Sequence, residues 1–269
     1  MSRAAGLLVY QEEDLRRNRW FAETLCRYAE SECMTLRLCL ADAAYSAAEH
    51  ADFVINRSRD HVLSEYCEKE RGIRVFNGSK VTAITNDKYV TDRFLRGHGL
   101  PTAETQLITE DGQLPGMPFP LVAKPPDGHG GAGVRWAKDP ADLSGVPLPY
   151  LVQEPMQTGW DLRVYVLGNR IYRAVLRTSD ADFRSNFSLG GHAALFEPDA
   201  EIRSLVSDVL TILPMDLAGI DFLRRRDGRY VIGEIEDAVG CRMLYQLTQL
   251  DPAWDYIRYI AAEMGCISS

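Results

Sequence analysis

The stretch Gly128-His129-Gly130-Gly131-Ala132-Gly133 places four glycines in six residues, and it narrows the possible folds more than any other feature of the chain. Such a run lets several backbone N–H groups point at one anion without side chains intervening, the chemistry of a phosphate-binding loop. It also satisfies G-x-G-x-x-G, but dinucleotide binding by that pattern needs a strand before and a helix after, near the start of a βαβ unit. Here Pro125-Pro126 precede the glycines and strand-like Val134-Arg135-Trp136 follows them. The loop therefore belongs between two strands, with a plain flexible hairpin as the alternative. Lys124 favours the phosphate reading, because a lysine ending a strand just before such a loop can reach a phosphate that the loop holds. The chain has five lysines (Lys69, Lys80, Lys88, Lys124, Lys138), and two of them, Lys88 and Lys124, fall at nucleotide candidates. The competing assignment for each is a solvated surface lysine.

The hydrophobic periodicity changes along the chain. Over the first 80 or so residues, short apolar runs alternate with helical stretches: Gly6–Tyr10, an amphipathic Asp14–Glu30, Met34–Leu40, Asp52–Asn56, His61–Arg71 and Ile73–Phe76. That rhythm predicts a small parallel α/β unit with a boundary near residues 77–87. Asn86-Asp87-Lys88 opens a helix to Arg96, which Gly97 and Gly99 end before Pro101 starts an extended segment. From Pro118 strands dominate: Leu121–Lys124, Val134–Ala137, Tyr150–Glu154, Leu162–Leu167 and Arg170–Thr178, the last two joined at Gly168-Asn169 as a hairpin. Ala218–Arg224 and Tyr230–Ile235 form a second hairpin around Asp227-Gly228, and Asp199–Leu213 and Asp251–Met264 read as helices.

The 269 residues are 46% hydrophobic and 25% charged, enough for one large core or two to three small ones. A formal net charge of −8 argues against a phosphate-backbone partner, so no nucleic acid is expected. No run of 18 apolar residues exists and the opening apolar stretch is too short for a signal peptide, so a cytoplasmic protein without membrane association is expected. The six cysteines contain no C-x-x-C pair and the five histidines no H-E-x-x-H, which indicates neither a zinc site nor a disulfide framework.

Two charged clusters carry further chemistry. Glu234 and Glu236 share one strand face by the period of two, and Asp221 lies on the partner strand of the predicted hairpin. Three converging carboxylates are destabilising unless a cation neutralises them, and hard oxygen ligands beside phosphates favour magnesium or manganese. A merely wet strand face is the alternative. A basic and polar set, Asp161, Arg163, Arg173, Arg177 and Asp182-Phe183-Arg184-Ser185-Asn186 before Gly190-Gly191, offers guanidiniums that hold phosphates or a carboxylate bidentately, or else a solvent-facing stripe.

In this order and spacing the elements resemble the ATP-grasp fold, and within it the RimK-like subgroup of ribosomal-protein and amino-group-carrier glutamate ligases. The resemblance runs from about Asn86 to Arg242 through Asn86-Asp87-Lys88-x-x-Thr91, Lys124 with its glycine loop, Val152-Gln153-Glu154-Pro155 and Gly159-x-Asp161-x-Arg163. It continues with the Asp182 to Asn186 stretch, Gly219-Ile220-Asp221 and Gly233-Glu234-Ile235-Glu236. It implies an α/β (α+β) protein in three parts: an N-terminal Rossmann-like pre-ATP-grasp domain over 1–85, a central lobe with the glycine loop over 86–155, and a C-terminal lobe with a metal site over 156–269. ATP would be the cofactor, its phosphates held by Lys88, Lys124 and the backbone of Gly128, Gly130, Gly131 and Gly133. Gln153, Glu154, Pro155 and Met156 would form the adenine and ribose edge, with Asp161, Arg184, Ser185 and Asn186 also lining the nucleotide. Asp221, Glu234 and Glu236 would bind two magnesium or manganese ions that bridge the phosphate oxygens.

The same resemblance implies the reaction. A substrate carboxylate attacks the γ-phosphate to give an acyl phosphate, and an amine then displaces phosphate, leaving an amide, ADP and phosphate. Positioning and charge stabilisation carry such chemistry, so no activated Ser or Cys is required. Arg163, Arg177, Arg184 and Arg242 are the candidates for holding the carboxylate or the transferring phosphoryl group. The implied partners are a small-molecule carboxylate and an amine (amino acid or peptide), on a homodimer or homotetramer. Relatives usually carry Asn where this chain has Glu236, followed by a small-residue and glycine turn, here Asp237-Ala238-Val239-Gly240-Cys241-Arg242. That departure keeps two alternatives open: ester or thioester formation on a peptide or small molecule, and a nucleotide-binding regulatory module without turnover.

Overall fold

Strands buried on both faces must be read as near-continuous apolar runs, and the first part of the chain meets that demand. The computed structural model describes residues 3–128, 132–179 and 192–267. β1 (Ala4–Tyr10), β2 (Met34–Leu40), β3 (Phe53–Asn56) and β4 (Arg74–Phe76) form a parallel sheet in the order β2-β1-β3-β4. Alternation divides its side chains: Leu8, Tyr10, Phe53 and Ile55 pack with α1 (Glu12–Ser31) and α8 (Pro252–Glu263). Leu7, Val9 and Val54 pack with α2 (Ala44–Ala48) and α3 (His61–Glu65) on the other face. The single helix expected over His61–Arg71 divides, because a π-helical turn at Tyr66–Glu70 follows α3 and Ile73 N donates back to Cys67 O at 2.9 Å.

The segment expected as a boundary is itself helical. α4 (Ser79–Thr85) is short and rich in β-branched residues, so its local helix preference is weak and packing makes it: Val81 and Ile84 are buried against the third sheet. α5 (Lys88–Gly97) starts where the sequence predicts, with the Asp87 carboxylate accepting from the N–H groups of Tyr89 (2.7 Å) and Val90 (3.0 Å).

The middle sheet is antiparallel, β5 (Thr105–Ile108), β6 (Leu121–Lys124), β7 (Arg135–Ala137) and β8 (Tyr150–Gln153) in the order β5-β8-β6-β7. The third is also antiparallel, with β9 (Trp160–Leu167), β10 (Arg170–Thr178), β11 (His192–Phe196), β12 (Leu217–Arg224) and β13 (Tyr230–Glu236) in the order β11-β10-β9-β12-β13. Gly168 (φ 58°) and Asn169 (φ 60°) make the left-handed two-residue turn that joins β9 to β10. Leu162, Val164 and Val166 of β9 pack against α6 (Ala200–Ile212). The alternate residues Asp161, Arg163 and Tyr165 therefore face the opposite side, where the chemistry gathers.

Two buried side chains tie the first sheet to the third. Asn77, just after β4, donates through Nδ2 to Leu217 O (2.8 Å) and Asp237 O (3.0 Å) and accepts through Oδ1 from Asp216 N (2.6 Å) and Leu217 N (3.2 Å). Arg57, just after β3, donates to Ala238 O (3.0 Å) and Val239 O (2.9 Å). Asn77→Ala strands four buried backbone groups, so urea denaturation is expected to show a loss on the order of 3 kcal/mol; a loss below about 0.5 kcal/mol contradicts this role.

Candidate active site

Antiparallel register turns four separate strands into one charged ladder. Arg177 on β10 lies opposite Asp161 on β9, Arg163 on β9 opposite Asp221 on β12, and Asp221 opposite Glu234 on β13. Directly opposite side chains are within bonding reach. Arg163 donates through Nε and Nη2 to both Asp221 oxygens at 2.7 Å, a bidentate pair, and its Nη2 also donates to Glu236 Oε1 at 2.6 Å. Arg177 Nη2 donates to Asp221 Oδ2 at 2.8 Å, and its Nε donates to Asp161. Glu236 is paired in register with Gly219, and Arg163 can cross β12 to it because position 219 carries no side chain. A Cβ there would lie 2.8 Å from Val239 Cγ2 and 3.4 Å from Arg163 Cδ. Burial pushes the Asp221 carboxyl up, but the guanidiniums of Arg163 and Arg177 overcome this and hold it well below the usual range. Burial also raises Glu236, an effect that Arg163 opposes and Asp221 and Glu234 reinforce.

The facing wall is built by α5 and the middle sheet. Lys88, the first residue of α5, donates to Glu234 Oε1 at 2.7 Å and to Gly128 O, which links the glycine loop to β13. Lys124, at the end of β6, donates to Gln153 Oε1 on β8 at 2.9 Å, and Gln153 Nε2 donates to Thr105 Oγ1 at 3.0 Å. Burial brings the Lys124 ammonium down to about 8, with Glu234 opposing and Lys88 adding to the fall.

Between the walls lies a cleft of about 430 Å³. Lys88, Lys124, Gly128, Gln153, Glu154 and Met156 line one side, and Asp161, Arg163, Arg177, Asp221, Glu234 and Glu236 the other. Arg242 of α7 (Arg242–Leu247) also lines it, with Nη2 donating to Arg17 O at 2.9 Å. Three sequence-predicted residues are not brought in: Gly133 packs toward Pro125, Pro155 lines a neighbouring cavity with Phe119 and Arg225, and Arg173 is exposed with Nη1 donating to Tyr172 O at 2.8 Å. Gly130, Gly131, Arg184, Ser185 and Asn186 lie outside the described residues. The apolar lining, Val122, Trp136 and Leu223 among it, went unpredicted. The period of two points to two of these, since Val122 shares a strand face with Lys124 and Leu223 with Asp221. Asn18 carries no such signal: it interrupts α1 with φ −120° and ψ 15° and reaches the cleft from the N-terminal unit.

The three carboxylates expected to converge on a metal do share the cleft, but each is already paired with a cation. Like charges this close need compensation, and Arg163, Arg177 and Lys88 supply it. Among the described residues no group of three His, Cys, Asp or Glu side chains is disposed to hold a metal ion. The donor chemistry nevertheless suits a hard divalent cation at two of the three: the side chains of Glu234 and Glu236 remain 28% and 31% exposed, whereas both Asp221 oxygens accept from guanidiniums.

Asp221→Asn leaves two buried guanidiniums undercompensated. A loss of about 3 kcal/mol at neutral pH is expected by chemical denaturation, and a loss below about 1 kcal/mol would show that Asp221 does not organise the ladder.

The model of the RimK-like ATP-grasp domain matches residues 85–260. A protein of Mycoplasma pneumoniae, the MG011 homolog, is 27% identical over 253 residues, 90% of this chain and 87% of that protein. Human beta-citrylglutamate synthase B is 32% identical over 227 residues, 77% of this chain and 58% of that protein. The crystal structure of D-alanine–D-alanine ligase from Bacillus anthracis complexed with ATP superposes with a TM-score of 0.75 over 98% of both chains at 14% identity, a likeness of fold. No helix among the described residues is long and apolar enough to cross a membrane. With a cleft walled by two antiparallel sheets, a lysine on each side of the glycine loop and a family model covering both sheets, the chain belongs to the RimK-like ATP-grasp family, whose members are ATP-dependent carboxylate–amine ligases.

Proposed function

We propose that this chain binds ATP in the cleft between its middle and third sheets and uses it to join a carboxylate to an amine through an acyl phosphate, releasing ADP and phosphate. The observation that carries this reading is Lys124, a half-buried ammonium beside the glycine loop whose described hydrogen-bond partner is the neutral amide oxygen of Gln153. A cation kept undercompensated at the end of a strand is prepared for a phosphate. Lys88 and Gly128 then face the same phosphates, the edge at Gln153, Glu154 and Met156 takes the base, and Val122, Trp136 and Leu223 cover its faces. Asp161 fixes Arg177, and Asp221 fixes both Arg163 and Arg177. These arginines and Arg242 hold the substrate carboxylate and meet the charge that moves from ATP. In this reading the chain divides at 1–85, 86–155 and 156–269, a division supported by one sheet falling in each part, with α8 returning to pack on the first sheet.

Glu234 and Glu236 would hold divalent cations, two magnesium or manganese ions in this proposal, which when bound supply neutralisation of phosphate charge. Glu236 donates oxygen as Asn would, so Glu236→Asn is expected to retain turnover within about tenfold while Glu236→Ala loses it. The acceptor is an amino acid, a class supported by the name of the human relative, a citrylglutamate synthase.

Lys124→Ala is expected to weaken ATP binding by about 100-fold in calorimetry, and wild-type affinity in that variant contradicts the assignment. The linkage has a definite sign. Free Lys124 loses its proton from about pH 8 and ATP restores it, so wild-type affinity should be level below pH 8 and fall by about tenfold per unit above it. A flat profile from pH 7 to 9 would rule out Lys124 as a phosphate ligand.

A further inference from the structure

A lysine that is to meet a phosphate carries its charge at the end of a flexible four-carbon stem, so the tip has to be held. In the cleft the holder is Gln153, whose Oε1 accepts from Lys124 Nζ at 2.9 Å. The two ends of an amide group are alike in size and opposite in hydrogen-bonding sense. Its oxygen accepts from the ammonium, whereas its NH₂ group turned to the same place would set donor against donor. The orientation of Gln153 therefore decides whether Lys124 is held or pushed away.

Thr105 sets that orientation. It stands directly opposite Gln153 in the antiparallel pairing of β5 with β8, and Gln153 Nε2 donates to its Oγ1 at 3.0 Å. A hydroxyl has one proton to donate, and Thr105 donates it to Ala103 O at 2.9 Å. Oγ1 is left as an acceptor, which fits the NH₂ end of Gln153 and turns the oxygen end toward Lys124. The Ala103 carbonyl is fixed in turn, since Arg96 Nη2 of α5 donates to it at 3.0 Å and to Asp92 Oδ1 at 3.2 Å. The preceding residues are tied to the third sheet: Ile232 N donates to Pro101 O at 2.9 Å and Arg225 Nη2 to Thr102 O at 3.0 Å. Ala103 and Gln153 are buried, which shields this series of bonds from competing water. Lys124 and Gln153 line the cleft, and Thr105 stands behind them.

We propose that Thr105 is a positioning residue for nucleotide binding: its hydroxyl orients the Gln153 amide, which holds the Lys124 ammonium toward the phosphates while leaving its charge uncancelled. The assignment rests on the ATP-binding reading of the cleft and deepens it by naming a residue behind the lining that acts through two others. A neutral amide suits the task, because a carboxylate at position 153 would pair with the lysine and compete with the phosphate.

The test is calorimetric titration of the full chain with a non-hydrolysable ATP analogue and magnesium, as wild type, Thr105→Val and Thr105→Ser. Valine keeps the branched β-carbon and removes only the hydroxyl, whereas serine keeps the hydroxyl and removes the methyl group. Strands favour valine over serine, so a purely structural role makes Thr105→Ser the weaker binder of the two. A role for the hydroxyl reverses that order: Thr105→Val should bind the analogue about fivefold more weakly than wild type, and Thr105→Ser within about twofold of it. Wild-type affinity in Thr105→Val, or a Thr105→Ser that binds as weakly as Thr105→Val or more weakly, overturns the proposal. A wild type that fails to bind the analogue strikes the ATP-binding reading itself, and the role of Thr105 falls with it.

Discussion

The carboxylate of Asp221, held bidentately by Arg163 and again by Arg177, is the interaction on which the site depends. It joins β9, β10 and β12 through side chains that lie where their backbones already pair, and it orients two guanidiniums that would otherwise have to be buried without compensation. Arg163 reaches on to Glu236 across the bare backbone of Gly219, so β13 belongs to the same unit. One residue without a side chain thus lets Arg163 reach the acid at position 236.

The opposite wall works by contrast. Lys124 is half-buried beside a neutral amide rather than an acid, and Lys88 bridges Glu234 to the loop carbonyl of Gly128. One side of the cleft is therefore saturated with ion pairs while the other keeps a cation in reserve. That asymmetry is what a site for a polyanion needs: a rigid, pre-oriented frame facing an ammonium whose best partner is the ligand. The first sheet enters through Asn77 and Arg57, which fasten it to the strand and the turn that carry this frame.

Much of this was legible in the sequence, and the limits have physical causes. Met34–Leu40, Leu121–Lys124 and Arg170–Thr178 match β2, β6 and β10 residue for residue, because an apolar period and a turn signal fix both ends of each. β11 and α4 escaped, being short segments whose partners, rather than their own composition, make them regular. Lys88, Lys124 and the acids of β12 and β13 were visible as residue types in a spaced order. Their pairing was not, since register sets which charge faces which, and no single strand records it. Asp221 was visible as one of three spaced acids, whereas its acceptance of hydrogen bonds from Arg163 and Arg177 was not. Arg57 and Asn77 lie in no motif; their ties to the turn after β13 and to the start of β12 arise only on folding.

The central claim is that phosphate leaves ATP by way of the substrate carboxylate. It is tested most directly by supplying the carboxylate that supports ADP release with both oxygens as ¹⁸O, together with the acceptor amine, and weighing the liberated phosphate. Attack of the carboxylate on the γ-phosphorus followed by amine displacement at carbon moves one labelled oxygen into each phosphate, a gain of about two mass units that P–O bond formation requires. Phosphate released without label, at the rate of ADP, would mean that water rather than the carboxylate takes the phosphoryl group.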